Sequence, residues 1–193
     1  MEKHRLVSFS DGVIAIIITI MVLELKVPHH GTLNALIPLI PVYLNYILSF
    51  MYIAIYWNNH HHMLQTSEKV TGGILWANMH LLFWLSLFPF VTAWMGENHF
   101  SAVPTALYGV VLLMAAIAYF TLRRLIIHSQ GPNSILKKAI GKDFKGNLSL
   151  TLYIIAIITA PWIPGIAQAL YALVAFMWLV PDRRIEKIFV EYD

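Results

Sequence analysis

The chain has 193 residues, of which 59% are hydrophobic and 12% charged. Soluble domains carry about 45–50% apolar and about 25% charged residues, so this chain lacks the charge to clothe a water-facing surface and reads as a polytopic membrane protein. It has no cysteine, which excludes disulfides, thiolate metal sites and cysteine nucleophiles, and its formal net charge of +3 is too small to point to nucleic acid.

Six apolar stretches follow in chain order. The first covers Phe9 to Leu25 and the second Ala35 to Tyr56, with Pro38 and Pro41 in its opening turns. The third covers Ile74 to Met95 and contains Pro89, and the fourth covers Val103 to Ile127. The fifth, Leu148 to Ile163, and the sixth, Gly165 to Val180, meet at Pro161-Trp162-Ile163-Pro164-Gly165, which predicts a tight turn and a helical hairpin. The arms of that hairpin are near the lower length limit for a span. A segment crossing a bilayer closes its backbone hydrogen bonds internally, and continuous apolar runs make these spans helices rather than strands of a barrel. The expected fold is therefore an all-α integral membrane protein, a single six-helix transmembrane domain over residues 1–193.

Lysine and arginine set the orientation. With six spans and the N-terminus inside, the inner segments hold Lys3, Arg5, Lys69, Arg123, Arg124, Lys137, Lys138, Lys142, Lys145, Arg183, Arg184 and Lys187, against Lys26 alone outside. That bias places both termini in the cytoplasm and supports an even number of spans. Lys3 and Arg5 ahead of an apolar run resemble a signal peptide. However, no small-residue cleavage site follows, and the run ends in Leu23-Glu24-Leu25-Lys26-Val27-Pro28, so the first segment is expected to stay as a permanent helix.

The first helix carries the most informative pattern. At about 100° per residue, Arg5, Phe9, Gly12, Ile16, Ile20 and Leu23 fall within about 40° of one line, with Thr19 at its edge. Asp11 lies about 140° away, with Ala15, Ile18 and Val22. Asp11 is expected at the cytoplasmic start of this helix, where an aspartate caps backbone N–H groups or sits among headgroups; a carboxylate turned to lipid is costly, so Asp11 is expected to face other helices of the same protein. Any membrane helix rich in Ile, Leu and Val has an apolar stripe, so periodicity by itself does not assign Ile16 a role.

Arg5-x-x-x-Phe9-Ser10-Asp11-Gly12, followed by Ile16, Thr19 and Ile20, resembles the signature of the transmembrane protein 175 family, lysosomal potassium channels of animals with shorter relatives in bacteria and archaea. Trp57-Asn58-Asn59-His60-His61 at the end of the second span, and Asn78 with Ser86-Leu87-Phe88-Pro89-Phe90 in the third, extend the likeness. The resemblance implies a homotetramer of six-helix subunits in a prokaryotic cell membrane, the first helix of each lining a central pore for potassium. The Thr-Val-Gly-Tyr-Gly filter of ordinary potassium channels is missing from this sequence, as it is from the family. The resemblance maps the main constriction to Ile16 and the next pore-facing positions to Thr19, Ile20 and Leu23. It assigns Phe9, Ser10 and Asp11 to an inter-helix latch whose partners are Trp57, His60 or His61, and Asn78. Arg5 either pairs with an acid or lies at the cytoplasmic mouth. A ring of isoleucines seals by dewetting when narrow and passes ions when wider, with modest selectivity that threonine hydroxyls assist. No cofactor beyond the permeant ions is implied.

Other readings were weighed on the residues. His60-His61-His62 invites a metal, but adjacent histidines point in different directions on a helix, and helical ligand pairs need three- or four-residue spacing. The cluster reads instead as interfacial, with one ring recruited to the aspartate; its charge changes between about pH 5 and 8. Trp76, Trp84, Trp94, Trp162 and Trp178 read as belt or packing residues, Glu24 and Glu97 as solvated outer helix ends, and Lys137 to Lys145 as a loop near anionic lipid. No acid–base pair, nucleophile or metal constellation suggests an enzyme. A secondary transporter would show repeats or charges at the midplane, which are missing here. Within the channel class, protons are the alternative permeant ion.

Overall fold

The computed structural model describes residues 3–67, 69–131, 134, 136–137, 141 and 143–179. Lys138, Lys142, Arg183, Arg184 and Lys187, counted above toward the inner side, lie outside the described residues. The described chain is helical: α1 (Lys3–Leu23), a 3₁₀ turn (Leu33–Leu39), α2 (Ile40–Gln65), α3 (Gly72–Ser86), α4 (Phe88–Glu97), α5 (Ala102–Gln130), α6 (Phe144–Thr159) and α7 (Pro164–Leu179).

Four stretches are long and apolar enough to cross a membrane: Lys3–Leu23, Leu33–Gln65, Gly72–Glu97 and Ala102–Gln130. The helices α6 and α7 have 16 residues each, about 24 Å against a hydrocarbon core of about 30 Å. They pack on one another as the expected hairpin.

Prolines set the local breaks. Pro41 occupies the first turn of α2, where its missing N–H costs nothing. Pro89 divides the third apolar stretch: α3 stops at Ser86, and the Leu87 N–H turns back to the Trp84 carbonyl at 3.3 Å. The stretch read as one helix is thus two, joined at Leu87. Two further boundaries differ from expectation. The α1 helix begins at Lys3 rather than Phe9, and α2 runs nine residues past Tyr56 to Gln65, so Trp57 and His60 to His62 lie near the end of the second helix, as expected. Polar and charged residues continue both helices beyond their apolar runs, and hydropathy alone does not see them.

The α1 helix packs against α2, α3 and α4, and α3 lies along α5, which in turn holds α6 and α7. A single core of aliphatic and aromatic side chains links all of them, from Leu6, Ile14 and Met21 on α1 to Tyr171 and Val174 on α7. Gly109 on α5 makes room for α7: an added Cβ there would meet the Tyr171 hydroxyl at 2.0 Å.

Candidate functional site

The α1 helix has three faces rather than two. Leu6, Ser10, Ile14, Ile17 and Met21 are buried against the rest of the bundle. On one side of this face lies the line picked out by periodicity: Phe9, Ile16, Ile20 and Leu23 are 50%, 59%, 41% and 76% exposed. Arg5, Gly12 and Thr19 are exposed on it as well. On the other side lies Asp11, half-buried. This bulky apolar line, with Ala15 and Val22 also exposed beside it, is a surface that the subunit itself does not cover.

Asp11 is eight residues past the first helical residue, so it is not a helix cap. Its Oδ1 accepts the Trp57 indole N–H at 3.0 Å, a charge-assisted bond between α1 and α2. The aspartate is thus held by tryptophan and not by a histidine. His61 stacks on Trp57 with ring centroids 5.9 Å apart and meets Gln65 at 2.9 Å. The Gln65 carbonyl accepts the Lys3 ammonium at 2.7 Å, a second tie between the same ends of α1 and α2.

Ser10, Asn78 and His60 form a separate, fully buried chain. The Asn78 amide donates to Ser10 Oγ at 2.9 Å, and Ser10 Oγ donates to the Leu6 carbonyl at 2.9 Å. With its amide so engaged, Asn78 offers Oδ1 to His60 Nε2 at 2.7 Å, which places the imidazole hydrogen on Nε2. The chain therefore has one polarity, from α2 through α3 to α1. His60 Nδ1 is buried with no hydrogen-bond partner among the described residues.

The residues assigned to the latch thus divide. Ser10, Asp11, Trp57, His60 and Asn78 are brought together, His61 joins through Trp57, and Phe9 and Arg5 face away on the open line. No group of three or more metal-ligating side chains gathers among the described residues.

Sequence reading missed two polar clusters. Asn45, Ser49 and Tyr52 recur at helical spacing on the buried face of α2, a polar stripe inside an apolar span that could have signalled the first. The Asn45 amide donates to the Thr92 carbonyl at 2.5 Å, Thr92 donates to Ser49 at 2.7 Å, and Ser49 meets the Tyr108 hydroxyl at 2.9 Å. In the second, Arg123 on α5 pairs with Asp143 at 2.5 Å, while Asp143 caps α6 through the Gly146 N–H at 2.9 Å. Beside that ion pair is a cavity of about 60 Å³ lined by Asn59, Tyr119 and Tyr153 among others. It is smaller than the roughly 150 Å³ cavity that admits benzene and large enough for a few waters.

Residues 5–89 match the family described as endosomal/lysosomal potassium channel TMEM175. A potassium channel of Chryseobacterium sp. (strain P1-3) is 56% identical over 187 residues, 97% of each chain. A potassium channel of Streptomyces collinus is 34% identical over 126 residues, 61% of each chain. A crystal structure of a lysosomal potassium-selective channel TMEM175 homolog from Chamaesiphon minutus superposes with a TM-score of 0.82 at 27% identity, covering 94% of this chain and 98% of that one. A match of this identity across nearly the whole chain, on a shared all-helical membrane fold, places the protein among channels and not enzymes: the chain belongs to the TMEM175 family.

Proposed function

We propose that the chain is a potassium-permeable cation channel of the cell membrane, a homotetramer in which α1 of each subunit lines a central pore and Ile16 forms its narrowest ring. One observation carries this reading: the line Ile16, Thr19, Ile20, Leu23 is open to the outside of a subunit that buries the neighbouring face of the same helix. Both termini lie in the cytoplasm, as the lysine and arginine bias requires. The permeant ion crosses an apolar ring by hydration of the gap, not by coordination, so opening is a change in ring diameter. Thr19 donates its hydroxyl hydrogen to the Ala15 carbonyl at 2.8 Å, which leaves the oxygen lone pairs turned outward toward a cation on the axis. The Asp11–Trp57 bond and the Ser10–Asn78–His60 chain act as a latch that fixes the rotation of α1, and with it which residues reach the axis.

The test is potassium flux from purified full-length protein in liposomes. Wild type supports flux, and Ile16→Asn, which wets the ring, raises it. Flux identical in wild type and Ile16→Asn would remove Ile16 from the constriction; a protein that passes no cation would remove the channel reading.

A further inference from the structure

Arg123 is the one buried lysine or arginine among the described residues. Its side chain is 9% exposed and reaches a single oxygen, Asp143 Oδ2, from Nη1 at 2.5 Å. A guanidinium carries five N–H donors, and no other oxygen among the described residues accepts one. Asp143 is served little better. Its Oδ1 accepts the Gly146 N–H at 2.9 Å, but its Oδ2 meets Arg123 as a charge, without the alignment of a hydrogen bond. A buried ion pair repays its desolvation only when further hydrogen bonds satisfy the remaining donors and lone pairs. This pair lacks them within the subunit.

Space for a third group adjoins it. The α2 helix packs against α7 but hardly touches α6, and the cavity of about 60 Å³ lies between them. Arg123 and Phe120 of α5 form its floor, with Tyr56 and Asn59 on one wall and Asp143 and Tyr153 on the other. Ile55 and Leu150 in its lining are part-exposed, so it is not sealed. Sites for whole organic ligands run to about 300–1,000 Å³; this one takes a single compact group. Its depth is informative. Arg123 lies about 32 Å along α5 from Ala102, and Asp143 about 25 Å from the α6–α7 turn, against a hydrocarbon core about 30 Å thick. Trp162, exposed at that turn, suits one bilayer interface. The ion pair then sits at the opposite boundary of the core, where lipid phosphates begin. Charge is in excess there. The Arg124 guanidinium sits 4.4 Å from the Phe120 ring that Arg123 covers at 4.8 Å, and Lys145 Nζ is 5.9 Å from Trp178 in the cavity wall. These cations stand against the carboxylate of Asp143 alone.

We propose that this cleft is a lipid site: the phosphodiester of an anionic phospholipid accepts the unused N–H groups of Arg123, with Arg124 and Lys145 at the rim and an acyl chain along Ile55 and Leu150. The lipid completes the ion pair and ties α5 to the α6–α7 hairpin. With the termini cytoplasmic, it belongs to the inner leaflet. No residue of α1 lines the cleft, so the site goes beyond the channel reading and stands whether or not the chain conducts.

The test uses full-length protein in dodecyl maltoside, titrated with dioctanoyl phosphatidylglycerol, dioctanoyl phosphatidylcholine or inorganic phosphate, and reads the thermal unfolding midpoint. Phosphatidylglycerol raises the midpoint saturably; phosphatidylcholine and free phosphate act far more weakly. Arg124→Gln and Lys145→Gln each weaken the apparent affinity by about fivefold, the effect of one cation near an anionic lipid. Arg123→Lys keeps the charge and its carboxylate partner but loses the planar fork, and weakens binding by about tenfold. Lys69→Gln removes an exposed charge between α2 and α3, outside the cavity, and leaves the affinity unchanged. Circular dichroism without lipid checks each fold; if Arg123→Lys does not fold, Arg124→Gln and Lys145→Gln against Lys69→Gln decide. An equal response to phosphatidylcholine or to free phosphate overturns the anionic lipid. A loss in Lys69→Gln as large as in Arg124→Gln means diffuse attraction and overturns the site.

Discussion

Replacing Asn78 with leucine tests the buried chain that ties α1 to α2 and α3. Leucine nearly conserves the side-chain volume, so no cavity opens and the effect isolates the hydrogen bonds. Two bonds disappear, to His60 and to Ser10. Their consequences differ. Ser10 still donates to the Leu6 carbonyl, whereas the His60 N–H is left in a core where the residue is 1% exposed. A buried donor without an acceptor costs about 1–3 kcal/mol, and hydrogen bonds between membrane helices average about 0.6 kcal/mol with a maximum near 1.7. We expect a loss of about 2 kcal/mol for Asn78→Leu. Removing the orphaned donor as well, in Asn78→Leu/His60→Leu, recovers about 1 kcal/mol of it, because an apolar pair replaces a broken polar one. Unfolding by SDS titration in micelles, followed by circular dichroism, measures both. Full stability in Asn78→Leu, or losses that simply add in the double variant, would refute the chain as drawn.

Asp11→Asn keeps an oxygen for the Trp57 indole and is expected to hold stability within about 1 kcal/mol, while Asp11→Ala loses about 1.5–3 kcal/mol; equal losses by SDS titration would mean that charge, and not the bond, matters. Gly109→Ala places a Cβ 2.0 Å from the Tyr171 hydroxyl and should sharply lower the yield of folded protein on size-exclusion chromatography, whereas Gly165→Ala, with nothing within 4 Å, should leave it unchanged. Arg123→Met strands a buried carboxylate and should cost about 3 kcal/mol, toward the low end for buried pairs because the adjoining cavity admits water. Lys26→Met, which breaks the exposed Lys26–Glu97 pair, should be nearly silent. The hydrogen bond and charge of Glu97 raise the Lys26 pKa above 10.5; a raised pKa stabilises the fold at pH below the unfolded value, so the contribution is lost only as pH rises beyond about 10.5, and unfolding midpoints of wild type and Lys26→Met should differ by the same amount at pH 6 and pH 8. Thr19→Val should leave stability within about 0.5 kcal/mol, since Thr19 bonds only its own helix, while lowering potassium-over-sodium selectivity in bi-ionic flux; unchanged selectivity would take Thr19 out of the ion path.

The spans, the hairpin at Pro161–Gly165 and the open line on α1 were legible in the sequence, because hydropathy and a 100° period report directly on what a helix buries. The pairing of Asp11 was only half legible. Its need for a partner follows from the cost of a carboxylate in a span, but whether tryptophan or histidine meets it depends on the phase of α2 beyond Tyr56, where the apolar run stops and the helix does not. The break at Leu87 was signalled by Pro89, which is tolerated in many membrane helices, so the residue did not decide the outcome. The Arg123–Asp143 pair was illegible for a different reason: Arg123 counts equally toward the inner charge bias whether it meets water or a carboxylate 20 residues away.

The division of α1 into three faces explains why its motif couples residues that do not touch a pore to residues that would. Rotation of a helix by one residue's worth of phase, about 100°, would replace Ile16 on the open line with Ile17 or Ala15 and change the bore of any ring built there. Hydrophobic packing through Leu6, Ile14, Ile17 and Met21 seats the helix but is not directional. The polar contacts are: Ser10–Asn78 and Asp11–Trp57 sit on adjacent residues with donors from two different helices, so turning α1 either way breaks at least one. The proposed apolar constriction would need its side chains held in place, and the directional bonds about one and a half turns below Ile16 would hold them.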